Sequence, residues 1–481
     1  MAESLKKQTF VGVGWSAVER FSVQGAQFFI QIVLARLLVP SDYGIIAMLA
    51  IFLQIAQVFV DCGFANALVQ KQQCTTSDYS TVFFFNLGVS VTIYLFFYII
   101  APYVAVFYEI EEITIVMRVI ALVVIFNSLS IVQRTILVKK VDFKSQSIVT
   151  FCATIVSGII GIYFAYNGYG VWALCYQQLI NSFLQIVLYY PFVRWRPSFV
   201  FSKDSFSDFF GFGSKILIAR LISVIYKNLY TLTIGKKYNS EDLGFFSRAE
   251  QFAIFPSANI GGIISRVSYP IFSKIQDDDQ KLTKAYREII CYSSFLIFPL
   301  MFGLASLANP FIEIMLGTKW LPVVPILQIL CLDFIWDPIS LLNLNLLYVK
   351  KRSDLVLKLE VLKKVIAIAI LFLTLPYGII VMCWGRVLYS FLAFYINTYY
   401  TQKIIGIGFL KQLFDVLPYL LVSFFMGLIV NIVATRVFST VHPGFQLAIG
   451  ILFGVLIYIV VTITFFNQTK NELIMLFKKL K

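Results

Sequence analysis

Charged residues are scarce in this chain. Asp, Glu, Lys and Arg together make up 13% of its 481 residues, against the ~25% that is usual in soluble globular proteins. Hydrophobic residues make up 59%, and the mean hydropathy is +0.84. A soluble globular domain is therefore excluded, and the composition predicts a protein that crosses a membrane many times.

The residue types that build metal sites, disulfide frameworks and nucleotide sites are also few or scattered. The single histidine, His442, has no ligand-spaced neighbour, and none of the seven cysteines belongs to a Cys-x-x-Cys pair. The sequence contains no glycine-rich phosphate loop and no basic-aromatic motif for nucleic acid. We therefore expect no metal, no cofactor and no nucleic-acid partner, and we interpret the cysteines as small packing residues.

Long apolar segments fill most of the chain. A spanning helix needs about 20 mostly apolar residues, and this measure predicts an all-α polytopic membrane protein with about fourteen transmembrane helices. Charged residues such as Asp333 and Lys363 interrupt the tenth and eleventh of them. The predicted spans are residues 11–35, 43–66, 80–104, 113–137, 146–166, 169–191, 209–234, 243–272, 284–307, 321–349, 355–375, 377–400, 411–435 and 445–467.

The net charge of +14 is unevenly distributed over the loops between these spans. Cytoplasmic loops of membrane proteins are enriched in Lys and Arg, and the charges segregate well when both termini are placed in the cytoplasm. The acidic segment 109–112 then lies outside, and every outward loop is too short to hold a catalytic domain. The basic residues left on the outside are Arg36, Lys236, Lys237, Lys319 and Arg436.

The two halves of the chain show a weak internal repeat. A shift of 200 residues superimposes the first predicted span on the seventh, including an intramembrane arginine and an Asp-x-Gly turn. The matched pairs are Phe10 with Phe210, Arg20 with Arg220, Asp42 with Asp242, Gly44 with Gly244, and, not identical, Gln27 with Lys227. We expect an N-lobe (1–197, helices 1–6), a C-lobe (198–402, helices 7–12), helices 13–14 (403–469) and a cytoplasmic amphipathic tail (470–481).

Polar side chains form a narrow stripe on the first predicted helix. At 100° per residue, Arg20, Gln24, Gln27 and Gln31 lie on one face of an otherwise apolar cylinder,. Such side chains are costly against lipid, so the stripe is expected to face a bundle interior or a water-filled cavity.

Similar stripes occur on four other predicted helices. One interpretation is hydrogen bonding between helices. We favour a solvated basic cavity between two lobes, because several of these residues are cations without an obvious partner. Glu19 is expected to pair with Arg20 or a neighbour, and Glu250 with Arg248 or Arg266. The residues concerned are Gln54, Gln57 and Asp61; Gln178, Asn181 and Gln185; Arg220, Lys227 and Thr231; and Arg248, Asn259 and Arg266.

Several sequence blocks resemble the Wzx/WzxC-type polysaccharide flippases of the multidrug/oligosaccharidyl-lipid/polysaccharide exporter superfamily. The similarity extends from about residue 8 to residue 400, with the blocks in the expected order. They are LLVPSDYGIIAM (37–48), DCGFANALVQ (61–70), GVWAL (170–174), LGFFSRAEQF (243–252), YPIFSKIQDDD (269–279) and GTKWLPVVPILQIL (317–330).

The resemblance implies two six-helix lobes around a cavity, with two additional helices. It also implies a non-enzymatic flippase of the bacterial inner membrane that moves an undecaprenyl-diphosphate-linked oligosaccharide outward, for O-antigen, capsule or exopolysaccharide assembly. Its expected partners are that lipid-linked substrate, membrane lipid, the polysaccharide polymerase and the export machinery. A basic cavity suits an anionic diphosphate, and the candidates for carrying a coupling ion are Glu19, Asp61 and Asp333.

Three alternatives remain open at this point. A drug or cation antiporter of the same superfamily would require an acidic cavity, whereas the residues counted here are mainly basic. A membrane glycosyltransferase, polymerase or ligase would require catalytic residues on large outward loops. A flippase for lipid-linked peptidoglycan precursors fits the motif blocks less well.

The orientation is testable by labelling single cysteines in a cysteine-free variant. We expect cysteines at Ser41, Glu111 and Asn239 to react with a membrane-impermeant thiol reagent on whole cells, because all three positions lie on predicted outward loops. A cysteine at Ser145 serves as the cytoplasmic control. Labelling at Ser145 in place of the other three would reverse the orientation.

Overall fold

All regular elements are helical in the part of the chain that the computed structural model describes, residues 22–438 and 441–465. One-turn helices also occur at Thr318–Trp320, Leu375–Tyr377 and Val433–Val437. The α-helices are α1 (22–37), α2 (Pro40–Asp61), α3 (Phe64–Gln70), α4 (Thr76–Tyr108), α5 (Glu112–Ile120), α6 (Leu122–Lys139), α7 (Phe143–Tyr166), α8 (Val171–Tyr189), α9 (Lys203–Lys227), α10 (Leu229–Lys237), α11 (Ser240–Lys274), α12 (Asp279–Ser306), α13 (Ala308–Met315), α14 (Val323–Phe334), α15 (Asp337–Val349), α16 (Ser353–Thr374), α17 (Ile379–Ile405), α18 (Phe409–Ile432) and α19 (Pro443–Phe465).

The helices confirm the predicted all-α polytopic membrane fold. Among the described residues, ten helical segments are long and apolar enough to cross a membrane, or eleven if the bent helix α9 is one span. The predicted count of about fourteen is compatible with this and stays a prediction. The first predicted span begins outside the described residues, and charged and polar residues lower the apolar content of α11 and α16.

Four helices begin with the same kind of polar cap. The side chains of Thr75, Asp142, Ser202 and Asp278 each accept a hydrogen bond from the backbone N–H three residues later, at 3.0–3.2 Å. These bonds satisfy N–H groups that have no partner within the helix. All four helices, α4, α7, α9 and α12, are ones that the predicted topology starts on the cytoplasmic side.

The chain divides into two compact units, Met1–Gly244 and Phe245–Lys481. In the first unit, a core forms around Phe64, Val82 and Val132, on α3, α4 and α6. In the second unit, one core lies around Leu307 and Met426, and another lies around Leu347 and Leu359. The predicted lobes, residues 1–197 and 198–402, stay a prediction. They group whole helices, whereas the boundary between the two compact units follows Gly244, inside α11.

The two Asp-x-Gly turns matched by the 200-residue shift pack against each other at the starts of α2 and α11. A Cβ atom added at Gly44 would lie 1.7 Å from the carbonyl oxygen of Ser240. One added at Gly244 would lie 2.0 Å from the carbonyl oxygen of Pro40. Each turn thus supplies the glycine that lets the backbone of the other approach. We call this contact the reciprocal glycine contact.

Substitution of Gly44 tests how tightly this contact is packed. We expect Gly44→Ala to destabilise the protein by about 1–3 kcal/mol, because a methyl group cannot fit against a backbone carbonyl without moving one helix. The control is Gly88→Ala in α4, where an added Cβ meets no atom within 4 Å. Equal thermal unfolding of the two purified variants in detergent would contradict the prediction.

Candidate functional site

The predicted stripe on the first helix is only partly described. Glu19 and Arg20 lie outside the described residues, so their pairing and their place in a cavity remain predictions. On α1, Gln24 and Gln31 are half-buried and Gln27 is exposed. The Oε1 atom of Gln31 is buried and accepts no hydrogen bond from the described residues.

The polar stripe on α2 bonds to neighbouring helices. The Nδ2 group of Asn127, on α6, donates to Oε1 of Gln57 at 3.1 Å. The Nδ2 group of Asn228, at the end of α9, donates to Oε1 of Gln54 at 3.1 Å. The third residue, Asp61, accepts from an arginine of α9. Hydrogen bonding between helices therefore accounts for this stripe.

That arginine is Arg220, so two residues predicted for different roles form one ion pair. The Nη1 group of Arg220 donates to Oδ2 of Asp61. Arg220 shows no obvious partner in the sequence, and the structure supplies one because α2 carries an anionic side chain that meets it within the same unit. The second oxygen of Asp61, Oδ1, is buried without a hydrogen bond from the described residues. Both side chains remain candidates for the predicted roles, now as a pair.

Lys227 is the last residue of α9, and the helix is interrupted there before α10 begins. The helix bends by 50° between Lys203–Gly211 and Ile216–Lys227. Lys227 is exposed and forms no ion pair with another described residue. The helix dipole stabilises a cation at the C-terminal end of a helix. This is an explanation of Lys227 that does not require the predicted role in substrate binding.

Arg248 and Arg266 share a face of α11 but lie far apart along it. Eighteen residues separate them, which is about 27 Å along a helix that rises 1.5 Å per residue. The Nη1 group of Arg248 donates to Oε1 of Gln251 at 2.5 Å, and Arg266 is exposed. A single diphosphate cannot contact both guanidinium groups, so these two residues do not form one compact phosphate site.

The second unit contains a group of three charged side chains, which we call the acid–arginine triad: Glu250, Asp333 and Arg386, on α11, α14 and α17. Asp333 is buried, and the other two are half-buried. The Nη1 group of Arg386 donates to Oε1 of Glu250 at 2.5 Å. Its Nε group donates to Oδ2 of Asp333 at 2.9 Å. Asp333, a predicted candidate for carrying a coupling ion, therefore lies beside a second carboxylate and one guanidinium.

The predicted partner of Glu250 is wrong. Arg248 lies two residues away on the same helix, and residues at that spacing do not face each other. Arg266 lies sixteen residues away, about 24 Å along the axis. The partner, Arg386, was missed, although an arginine inside an apolar span is itself a signal of a buried ion pair or a functional site.

Two further polar groups in this unit are structural. Nδ2 of Asn343 donates to Oε1 of Gln412 at 3.1 Å, and the hydroxyl of Thr401 donates to Oδ1 of Asn343 at 2.6 Å. All three are fully buried and join α15, α17 and α18. Arg287 donates to both carboxylate oxygens of Asp415 and joins α12 to α18.

The fold is that of a solved transporter. The structure described as "Lipid II flippase MurJ, inward closed conformation" matches with a TM-score of 0.73 and 15% sequence identity, covering 95% of this chain and 99% of that one. This likeness confirms the fold class that the sequence predicts.

Curated relatives match over most of the chain. The teichuronic acid biosynthesis protein TuaB of Bacillus subtilis (strain 168) is 26% identical over 479 residues, which is 98% of each chain. The lipopolysaccharide biosynthesis protein WzxC of Escherichia coli (strain K12) is 24% identical over 366 residues, 75% of this chain and 74% of its own. The resemblance inferred from the sequence blocks is confirmed.

The family match covers more than half of the chain. Residues 33–325 match the family described as "Polysaccharide biosynthesis protein", a range that includes the sequence blocks from LLVPSDYGIIAM to YPIFSKIQDDD. The chain belongs to this polysaccharide biosynthesis protein family.

Proposed function

We propose that this protein is a transporter that flips a polyprenyl-diphosphate-linked oligosaccharide repeat unit across the bacterial inner membrane. The observation that carries the proposal is membership of the polysaccharide biosynthesis protein family in a chain whose fold is that of a multi-pass transporter. The relatives TuaB and WzxC are named for the biosynthesis of cell-surface polymers, and the solved structure is named a lipid II flippase. The product serves surface polysaccharide assembly, with the polymerase and the export machinery downstream.

The described connections on the predicted outer side favour transport over glycosyl transfer. Residues 109–111 join α4 to α5, residues 167–170 join α7 to α8, and Leu375–Gly378 joins α16 to α17. A polymerase or ligase that acts outside the membrane would need room there for a catalytic domain. These tight turns offer no such room, and the loop charges favour cytoplasmic termini.

The membrane potential supplies a driving force for such a substrate. A potential that is negative inside favours outward movement of an anion by roughly 2.3 kcal/mol per charge per 100 mV. The substrate's lipid tail stays in the bilayer, and intramembrane cations replace the water around the diphosphate. Lys227 suits this role as an exposed point charge, and Arg220 adds a planar group with further N–H donors beyond its bond to Asp61.

The function is tested in a strain that lacks its own flippase. Expression of this protein is expected to restore surface polysaccharide and to clear lipid-linked oligosaccharide from the inner leaflet. Inner-leaflet accumulation that persists at normal membrane abundance of the protein would refute the proposal. Tight binding of organic cations by the purified protein, with no response to lipid diphosphates, would instead favour a drug antiporter.

The role of Lys227 is tested by reversing its charge. We expect Lys227→Gln to weaken transport several-fold and Lys227→Glu to weaken it by about tenfold or more, since each 1.4 kcal/mol of lost interaction is tenfold in affinity and glutamate also repels the diphosphate. The matched control is Lys237→Glu, an exposed lysine at the end of α10. Surface polysaccharide and undecaprenyl diphosphate binding are the measurements, and wild-type values for Lys227→Glu would remove Lys227 from the site.

Arg20 is tested for transport against a purely structural role. We expect Arg20→Ala to lose most surface polysaccharide while the protein stays at normal membrane abundance, because the predicted stripe faces the transport path. Immunoblots of membranes and polysaccharide staining measure the two quantities. Loss of the protein itself would show that Arg20 holds the helix bundle together.

A further inference from the structure

The connection between α8 and α9, residues 190–202, is hydrogen-bonded to the start of α4. The backbone N–H of Ser198 donates to Oγ of Ser80 at 3.1 Å, and that of Ser202 donates to Oγ1 of Thr81 at 2.9 Å. These two hydroxyl groups belong to the first two residues of the third predicted span, on its predicted cytoplasmic side. The first residues of a span lie where the hydrocarbon meets the lipid headgroups. The connection is therefore held at the level of the headgroups.

Aromatic packing also fixes the position of this connection. The ring centre of Trp195 lies 6.1 Å from that of Tyr79 and 5.9 Å from that of Phe83, both edge to face. The rings of Phe199 and Phe84 stack with their centres 5.5 Å apart. Together with the two hydrogen bonds, these contacts hold the connection in place, so the side chains that it exposes form a defined surface.

That surface exposes large aromatic side chains. Tyr190, Phe199 and Phe201 are 58%, 97% and 52% exposed. The guanidinium group of Arg196 lies 5.6 Å from the ring centre of Tyr190. Aromatic rings concentrate at the boundary between a bilayer and water, because one part of the boundary is apolar and the other is wet. The exposed rings are therefore suited to contact lipid at the depth where the connection is held.

The same surface is basic. Residues 143–203 contain no Asp or Glu, and the next acidic residues, Asp204 and Asp208, follow within α9. Three cations on or beside the connection are exposed and form no ion pair with another described residue: Arg194, Arg196 and Lys203. Their charges are available to an anion from outside the protein.

The stability of α9 does not account for the position of Lys203. Lys203 is the first residue of that helix, and the helix dipole favours anions rather than cations at an N-terminal end. An external anion placed there would be attracted both by the ammonium group and by the dipole. The charge of Lys203 is thus better explained by a ligand than by the helix.

We propose that the α8–α9 surface, residues 190–203, binds the headgroups of anionic phospholipids in the cytoplasmic leaflet. The two arginines present planar groups that can donate two parallel hydrogen bonds to a phosphate, while the exposed rings contact the upper part of the acyl chains. A zwitterionic headgroup fits less well because it brings a cation of its own, and a free phosphate offers the rings no apolar chain. The bound lipid holds the segment that joins the two predicted lobes against the membrane, and this binding does not depend on the proposed transport function.

Lipid binding is tested on the purified full-length protein by native mass spectrometry with added phosphatidylglycerol or phosphatidylcholine. We expect the wild type to bind phosphatidylglycerol more tightly than phosphatidylcholine. The triple variant Arg194→Gln, Arg196→Gln, Lys203→Gln is expected to bind phosphatidylglycerol at least tenfold more weakly, because each cation near an anionic headgroup contributes several-fold in affinity. The variant Arg194→Lys, Arg196→Lys keeps the charge and is expected to stay within a few-fold of the wild type.

The matched control is a second triple variant, Lys274→Gln, Lys284→Gln, Lys403→Gln, in the second unit. These three lysines are exposed and lie on predicted cytoplasmic segments. Lys403 lies over the ring of Tyr399, 4.5 Å from its centre, much as Arg196 lies over a tyrosine ring of the α8–α9 surface. The control changes the net charge by the same amount and is expected to keep wild-type affinity for phosphatidylglycerol.

Equal affinities of the wild type and the first triple variant would remove the α8–α9 surface as a lipid site. An equal loss in both triple variants would replace a local site by a general attraction between the basic protein and the anionic lipid. Equal binding of phosphatidylglycerol and phosphatidylcholine by the wild type would exclude recognition of headgroup charge.

Contact with the membrane is tested separately by placing Phe199→Cys in a cysteine-free variant and labelling it with an environment-sensitive dye. In vesicles that contain phosphatidylglycerol, we expect lipids with a nitroxide at the headgroup to quench the dye. The same quenching should fall several-fold when the first triple substitution is added. A dye that stays in water and is not quenched would overturn the lipid assignment, leaving a surface for soluble anions only.

Discussion

The structure depends on the cost of leaving a polar group without a partner in hydrocarbon. Helices satisfy the backbone within each segment, but a polar side chain must find its partner on another helix. The Asp61–Arg220 pair, the Asn343–Gln412–Thr401 group and the acid–arginine triad each join different helices of one unit. Removing one partner of a buried ion pair typically costs 3–5 kcal/mol, so these residues fix which helices are neighbours.

The two units use intramembrane charge differently. In the first, the opposite charges of Arg220 and Asp61 balance each other, and Lys227 at the end of α9 adds a cation. In the second, two carboxylates share Arg386. In each unit, charged side chains therefore meet partners on other helices of the same unit.

The helical membrane fold was predictable from sequence because hydropathy is a property of short segments. Two long helices, α11 and α16, are less apolar than the other spans because charged and polar residues interrupt them. The partners of the polar residues were not predictable, because they come from helices that are distant in the chain. Glu250 and Arg386 are 136 residues apart, and Asp61 and Arg220 are 159 apart. The stripes indicate which residues need partners, but the identity of each partner depends on which helices pack together in the fold.

The reciprocal glycine contact has a consequence for how such a chain can vary among its relatives. Each glycine is required by the backbone of the other turn, so Gly44 and Gly244 are constrained jointly although 200 residues separate them. An insertion in either turn would displace both glycines from the carbonyl groups they accommodate. The lengths of the two turns are therefore expected to change together or not at all, so that alignments of relatives would show a gap-free pair of segments at this spacing in the fold. Loss of one glycine would also relax selection on the other, because the contact that requires both would already be broken.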